Sequence, residues 1–310
     1  MEQNLTFADL GLSKEILQAL EQKGYGYPTR IQAEAIPPFM QWKDVIAKAP
    51  TGTGKTFAFG IPMLEHIDPE SEDLQGLILA PTRELAIQIC DELKGLAAFN
   101  KNIRVAVVYG GAKIEQQIKQ LSKHPQIVVA TPGRLMDHYN RKTLRLDKVQ
   151  TVVLDEADRM LDMGFIADIR RLLPLLPVRR QTLLFSATMP RDIVALSGSV
   201  LCDPVRVEVT PASSTVDRVD QRVYFVERPE KKSLLVSVLR KQADKSVLVF
   251  SRTKHGADNI ARMLKRAGIR SEAIHGNKSQ GQRQRALGDF KSGKVKVMVA
   301  TDIAARGIDV

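Results

Sequence analysis

The chain of 310 residues holds only two cysteines, Cys90 and Cys202, far apart and outside any CxxC or Cys/His grouping. That scarcity excludes a disulfide framework and a zinc site of the usual spacing. No stretch approaches the roughly 18 consecutive apolar residues of a membrane span. The N-terminus, with Glu2 and Gln3, lacks the charged-then-apolar layout of a secretory signal. Internal repeats and low-complexity tracts are absent too. A cytoplasmic, globular protein of about two domains is the expectation, supported by 44% hydrophobic and 26% charged residues.

Excess charge is missing from most of the chain. Residues 211–310 carry 21 Lys/Arg against 10 Asp/Glu, which accounts for the whole net charge of +11 and leaves residues 1–210 neutral. A basic last third reads either as a solvated surface or as a polyanion-binding one. Charge alone leaves both open.

Short apolar runs at 44–48, 77–80, 105–108, 127–130, 151–154 and 182–185 are nearly continuous in Val, Ile, Leu and Ala. Such runs suit strands buried on both faces of a parallel sheet. Helical periods lie between them, as in 83–96, where Leu85, Ile89, Leu93 and Leu96 share one stripe. The alternation predicts a doubly wound α/β domain. It restarts with expected strands at 223–226, 247–250, 271–274 and 295–300. The polar, proline-containing stretch between the two series reads as a linker.

After the first run comes Ala49-Pro50-Thr51-Gly52-Thr53-Gly54-Lys55-Thr56 and then a helical stretch. Strand, glycine loop and helix in this order form a phosphate-binding loop, although Ala49 stands where glycine usually opens the pattern. Gly52 and Gly54 let backbone N–H groups turn toward phosphate oxygens. Lys55 supplies a point charge, and the Thr56 hydroxyl is a ligand for Mg²⁺. Asp155 and Glu156 close the run 151–154, at the strand end where open α/β sheets bind ligands. An Asp there holds Mg²⁺ through water, and the adjacent Glu orients or deprotonates an attacking water. The pair together with the loop indicates a nucleoside triphosphatase. A guanine-reading N-K-x-D is absent, since Asn277-Lys278 continues as Ser279-Gln280.

The acidic pair extends to Asp155-Glu156-Ala157-Asp158, and here the sequence resembles the DEAD-box RNA helicases, over essentially its whole length. Residues 24–32, with Tyr25, Thr29 and Gln32, are similar to that family's Q motif, and Phe7 is the isolated aromatic upstream. The resemblance implies that Gln32 reads the adenine edge through its amide while an aromatic stacks on the base. It further implies RNA contacts at Pro81, Thr82 and Arg83, at Gly110 and Gly111, and at Thr131, Pro132, Gly133 and Arg134. Ser186-Ala187-Thr188 resembles the motif that couples nucleotide state to the domain interface through Asp158. In the second half, Ser251 and Arg252 belong to one similar motif and His275-Gly276, with Gln280 and Arg283 after it, to another. Residues 300–310 resemble a third, implying RNA or cleft contacts for Thr301 and Arg306 and ribose contacts for Gly307 and Asp309.

The family implies an α/β fold of two tandem RecA-like P-loop domains, each a parallel sheet flanked by helices. The boundaries expected are a Q-motif region at 1–34, an ATP-binding domain at 35–208, a linker at 209–218 and a second domain at 219–310. The implied activity is ATP-dependent RNA unwinding by a monomer, with Lys55, Asp155, Glu156, Ser186 and Thr188 as catalytic residues and Thr56 and Asp155 at Mg²⁺. Closure of the two domains by ATP and RNA together pries a short duplex apart. A DNA-directed helicase is disfavoured by Asp158, where the related branch has His, and by Gln32. The family's arginine-rich H-R-x-G-R-x-x-R motif has no match here. The second domain is therefore expected to be incomplete, and the alternative reading is an ATP-gated RNA clamp or a weakly catalytic fragment.

Overall fold

The computed structural model describes residues 5–209 and 220–302. By internal contacts the chain divides into two compact units, 1–213 and 214–310.

In the first unit the elements run α1 (Lys14–Gln22), α2 (Arg30–Met40), β1 (Val45–Lys48), α3 (Lys55–His66), β2 (Gly76–Leu79), α4 (Arg83–Leu96), β3 (Val105–Val108), α5 (Ile114–Leu121), β4 (Ile127–Ala130), α6 (Pro132–Asn140), β5 (Thr151–Leu154), α7 (Ala157–Asp162), α8 (Ile166–Leu172), β6 (Gln181–Ser186), α9 (Arg191–Val200) and β7 (Val205–Glu208). The seven strands form one parallel sheet in the order β3-β4-β2-β5-β6-β1-β7. Helices cover both faces, so the central strands are apolar without alternation: every residue of β2, β4, β5 and β6 is buried. Successive side chains still diverge to opposite faces. Ile78 joins the cluster packed by Phe59, Ile89 and Phe185, whereas Leu77 and Leu79 join the one packed by Leu135, Met160 and Leu172.

Register decides which loops meet. Lys48 at the end of β1 pairs with Ser186 at the end of β6, and Leu154 of β5 pairs with Leu184. The segments that follow β1, β6 and β5 therefore lie side by side at the C-terminal edge. Those after β2, β4 and β3 occupy the other half of the same edge.

In the second unit, α10 (Lys231–Arg240), β8 (Val247–Ser251), α11 (Lys254–Arg266), β9 (Ser271–Ile274), α12 (Gln280–Lys291) and β10 (Val297–Thr301) build a parallel sheet ordered β8-β10-β9. The strand expected at 223–226 is absent. No neighbouring strand pairs with that run among the described residues, and Val223, Tyr224 and Phe225 stand exposed. Conversely, β7 was not expected from the sequence, because its short edge run V-R-V-E is mostly outside the core. Of the linker expected at 209–218, all but Val209 lies outside the described residues.

No helix among the described residues is long and apolar enough to cross a membrane.

Candidate functional site

The loop between β1 and α3 is shaped by two glycines in the left-handed region, Gly52 at φ +78° and Gly54 at φ +89°. A Cβ on Gly54 would run into the Gln32 amide, so the loop demands glycine there for space as well as for conformation. Pro50 accepts a 2.8 Å hydrogen bond from the Thr53 hydroxyl, and Thr51 stays exposed at the rim. Lys55, in the first turn of α3, is buried and donates its ammonium to the Ala49 carbonyl at 3.0 Å. That bond folds the side chain back along the loop. The first-turn N–H groups of α3, Thr56 among them, add the positive end of the helix dipole.

Gln32 is bonded at both ends of its amide. Its Oε1 accepts from the Thr29 N–H at 2.9 Å and its Nε2 donates to the Gly54 carbonyl at 3.1 Å. Thr29 adds a 2.8 Å bond to the Thr53 carbonyl. The amide assigned to adenine thus braces the phosphate loop, and only 4% of the residue is exposed. Phe7 likewise sits in the core at 3% exposure rather than in the open. Two aromatics of this segment are accessible: Tyr27, and Tyr25, half exposed and edge-on to Phe57 with ring centroids 5.1 Å apart.

Asp155 follows β5 immediately and is 3% exposed. Burial pushes its carboxyl up to about 7, against the opposing pull of nearby Lys55. Its Oδ1 accepts the Glu156 N–H at 2.9 Å. Glu156 is held at φ 51°, ψ 51°, a conformation that costs a non-glycine residue of order 1–3 kcal/mol and persists where surroundings over-determine it. Burial raises the Glu156 pKa also, while Arg159, at 3.0 Å on the first turn of α7, counteracts it. The i,i+3 spacing was the available sequence signal for Arg159.

Asp158 joins this strand end to the next. One carboxylate oxygen accepts both the N–H and the hydroxyl of Thr188, each at 2.8 Å. The Asp158 N–H donates to the Ser186 hydroxyl at 3.2 Å, which itself donates to the Thr188 carbonyl at 2.7 Å. A displacement of the acidic turn is therefore felt directly in the segment after β6.

Among the described residues no three His, Cys, Asp or Glu side chains gather into a metal cage. The donors available, the Asp155 carboxylate and the Thr56 hydroxyl, are hard oxygens. This set fits Mg²⁺, which keeps waters and takes its remaining ligands from substrate phosphates. A buried carboxylate whose charge is penalised also fits a site that a cation completes.

On the other half of the sheet edge, Pro81, Thr82, Thr131 and Pro132 are buried and shape their turns. Thr82 caps α4 through a 3.3 Å bond from the Leu85 N–H. The groups that reach the surface are Arg83, Gly110, Gly111 and Gly133. Gly111 has φ +83°, and a Cβ there would lie 2.7 Å from the guanidinium carbon of Arg83, so that cation covers the glycine pair. Arg134 is turned inward, its side chain 12% exposed and its Nη1 donating to the Ala112 carbonyl at 3.1 Å. In this arrangement it ties a loop instead of presenting its charge.

Within the second unit, Ser251, His275 and Thr301 sit at the C-terminal ends of β8, β9 and β10. Arg252 is exposed. The His275 ring is 2% exposed, with Nε2 3.0 Å from Asp258 and Nδ1 accepting from the Asn277 N–H at 3.3 Å. It shapes the turn; the cations beside exposed Gly276 are Lys254, bonded to Asn277 at 2.9 Å, and Lys278, paired with Asp258 at 2.9 Å. Arg306, Gly307 and Asp309 lie outside the described residues.

A glycine loop on one strand, an acidic turn two strands away and an all-parallel sheet with helices on both faces define a RecA-like P-loop protein. Residues 29–196 match the DEAD/DEAH box helicase family, and 230–310 match the helicase conserved C-terminal domain. The chain belongs to the DEAD/DEAH box helicases. It is similar to the DEAD-box ATP-dependent RNA helicase CshA of Geobacillus kaustophilus, at 49% identity over 98% of this chain and 65% of that protein. A DEAD box protein from Methanococcus jannaschii has 42% identity and a TM-score of 0.64, over 98% of this chain and 82% of that one. Dbp5 L327V of S. cerevisiae bound to RNA and ADP BeF3 has 30% identity and a TM-score of 0.87, over 98% of this chain and 78% of that one. The chain thus spans less than two thirds of the curated relative's length.

Proposed function

We propose that the protein is an ATP-dependent RNA helicase that separates short duplexes with little sequence preference. The observation that carries this reading is the gathering of the phosphate loop, the Asp155–Asp158 turn and Ser186–Thr188 on one sheet edge, where Asp158 bonds Ser186 and Thr188 and the Ala49 N–H bonds the Ser186 carbonyl, with a second set of loops beside it. Lys55 and the N–H groups of residues 52–56 bind the β- and γ-phosphates, and Thr56 and Asp155 hold Mg²⁺. When bound, that ion neutralises charge on the phosphate oxygens. Glu156 takes the proton of the attacking water, and its raised pKa brings it nearer the working pH of a general base. Tyr25 offers its ring to the adenine, and the Gln32 brace makes the loop responsive to what occupies the base site.

Arg83, the Gly110-Gly111 turn and the start of α6 contact backbone phosphates and sugars of one strand, as contacts without base specificity do. Arg252, Gly276 and Thr301 take the same role in the second domain, together with Arg306, while Gly307 and Asp309 contact the ribose. Residues 35–208 form the ATP-binding domain and 219–310 the second. ATP and RNA bind both domains better when these close together, and closure bends one strand in a way a duplex does not accommodate. Asp158, through Ser186 and Thr188, passes the state of the nucleotide to that movement. The setting is cytoplasmic, and the acting species is a monomer.

Strand displacement on matched short RNA and DNA duplexes tests the reading. ATP-dependent release from RNA and not from DNA is expected. Equal release from both, or release without ATP, would refute it.

A further inference from the structure

Strands β3 and β4 are paired neighbours, and each delivers the chain to a turn on the same sheet edge: 109–113 after β3 and the start of α6 after β4. Behind these turns runs a polar chain that none of the chemistry above uses. Gln117 of α5 is 3% exposed and His138 of α6 is fully buried. The Gln117 Nε2 donates to the Tyr109 carbonyl at 2.9 Å, which fixes the orientation of its amide. Its Oε1 then faces the His138 Nε2 at 3.1 Å. That oxygen only accepts, so the proton is on Nε2; the Thr143 hydroxyl, 2.8 Å from Nδ1 and 3.1 Å from the His138 carbonyl, has one proton to share between those two acceptors. Burial first and Arg134 next lower the pKa of the ring, with Asp137 opposing them and Arg141 adding a smaller push in the same direction as Arg134. The Arg134 bond to the Ala112 carbonyl is a second tie between the same two turns.

Gln117 and His138 are buried while Tyr109 and Thr143 are half-buried, so breaking the Gln117–His138 bond strands a polar group on both sides of it. The arrangement therefore has one low-energy geometry. We propose that Gln117 and His138 are positioning residues that lock the 109–113 turn to the start of α6, so that both engage an RNA backbone as a single preorganised surface. The inference rests on the RNA-binding reading of those turns. Preorganisation adds affinity by removing the ordering cost at the moment of binding.

The test compares the protein with its Gln117→Leu and His138→Phe variants by two readouts. One is affinity for a fluorescein-labelled oligouridylate with a non-hydrolysable ATP analogue; the other is amide hydrogen exchange at 109–113. Both variants should bind RNA about tenfold more weakly, keep ATP affinity within about twofold, and exchange faster at 109–113. If Gln117→Leu fails to fold, as loss of ATP binding would report, His138→Phe decides alone, since its ring fills the same space without the bonds. Unchanged RNA affinity in a folded variant overturns the proposal. If the unaltered protein binds no oligouridylate, the RNA reading of the turns fails instead. Exchange then decides the locking claim by itself, and equal protection at 109–113 in variant and parent refutes it.

Discussion

Replacing Asp155 by Asn sets stability against function. The carboxyl is 3% exposed, and its pKa rises from the ordinary 3.8 to about 7. Between those values the folded protein holds a proton that the unfolded chain has released, so stability falls as pH rises through this window. One group shifted in this way costs about 2 kcal/mol at pH 5 and about 4 kcal/mol at pH 8. Asn resembles the protonated acid and carries no such cost. Urea unfolding without Mg²⁺ or nucleotide should therefore show Asp155→Asn to be the more stable protein at pH 8. Its advantage should exceed the advantage at pH 5 by roughly 2–3 kcal/mol. The same variant should lose Mg²⁺-dependent nucleotide binding, which the stability gain makes impossible to attribute to unfolding. A stability difference that is the same at pH 5 and pH 8 would refute the reasoning.

Lys55→Ala removes both the ammonium folded against Ala49 and the main cation opposing Asp155 protonation; fluorescence titration should show ATP affinity down at least about 100-fold. Gln32→Ala releases the Gly54 carbonyl from its brace, so ATP affinity should drop by about tenfold in the same titration, with the preference over GTP reduced. Gly111→Ala forces a Cβ onto a residue at φ +83° and displaces Arg83; calorimetry should show about 1–2 kcal/mol lost, with weaker RNA binding and intact ATP binding.

Much of the first domain is legible in the sequence because strands buried on both faces read as unbroken apolar runs, and 151–154 is observed with those bounds. Propensity alone misleads where pairing decides. The run at 223–226 has the residues of a strand but no ladder partner among those described, and β7 has a partner but a half-polar edge composition. The same division holds for the site. The phosphate loop and the acidic turn are each contiguous, so their chemistry is visible in a few adjacent letters. The brace from Gln32 to Gly54 spans 22 residues and the His138–Gln117 bond spans 21, and neither leaves a local pattern. Phe7 and Arg134 likewise make contacts that no local pattern shows, the one in core packing and the other on the Ala112 carbonyl.

The most direct test of ATP-driven action on RNA is hydrolysis by the protein and its Glu156→Gln variant, with and without single-stranded RNA. Hydrolysis stimulated by RNA is expected in the protein, and the variant should bind ATP and RNA normally while turning over at least about 100-fold more slowly. Hydrolysis indifferent to RNA, or undiminished when Glu156 is replaced, would contradict the account.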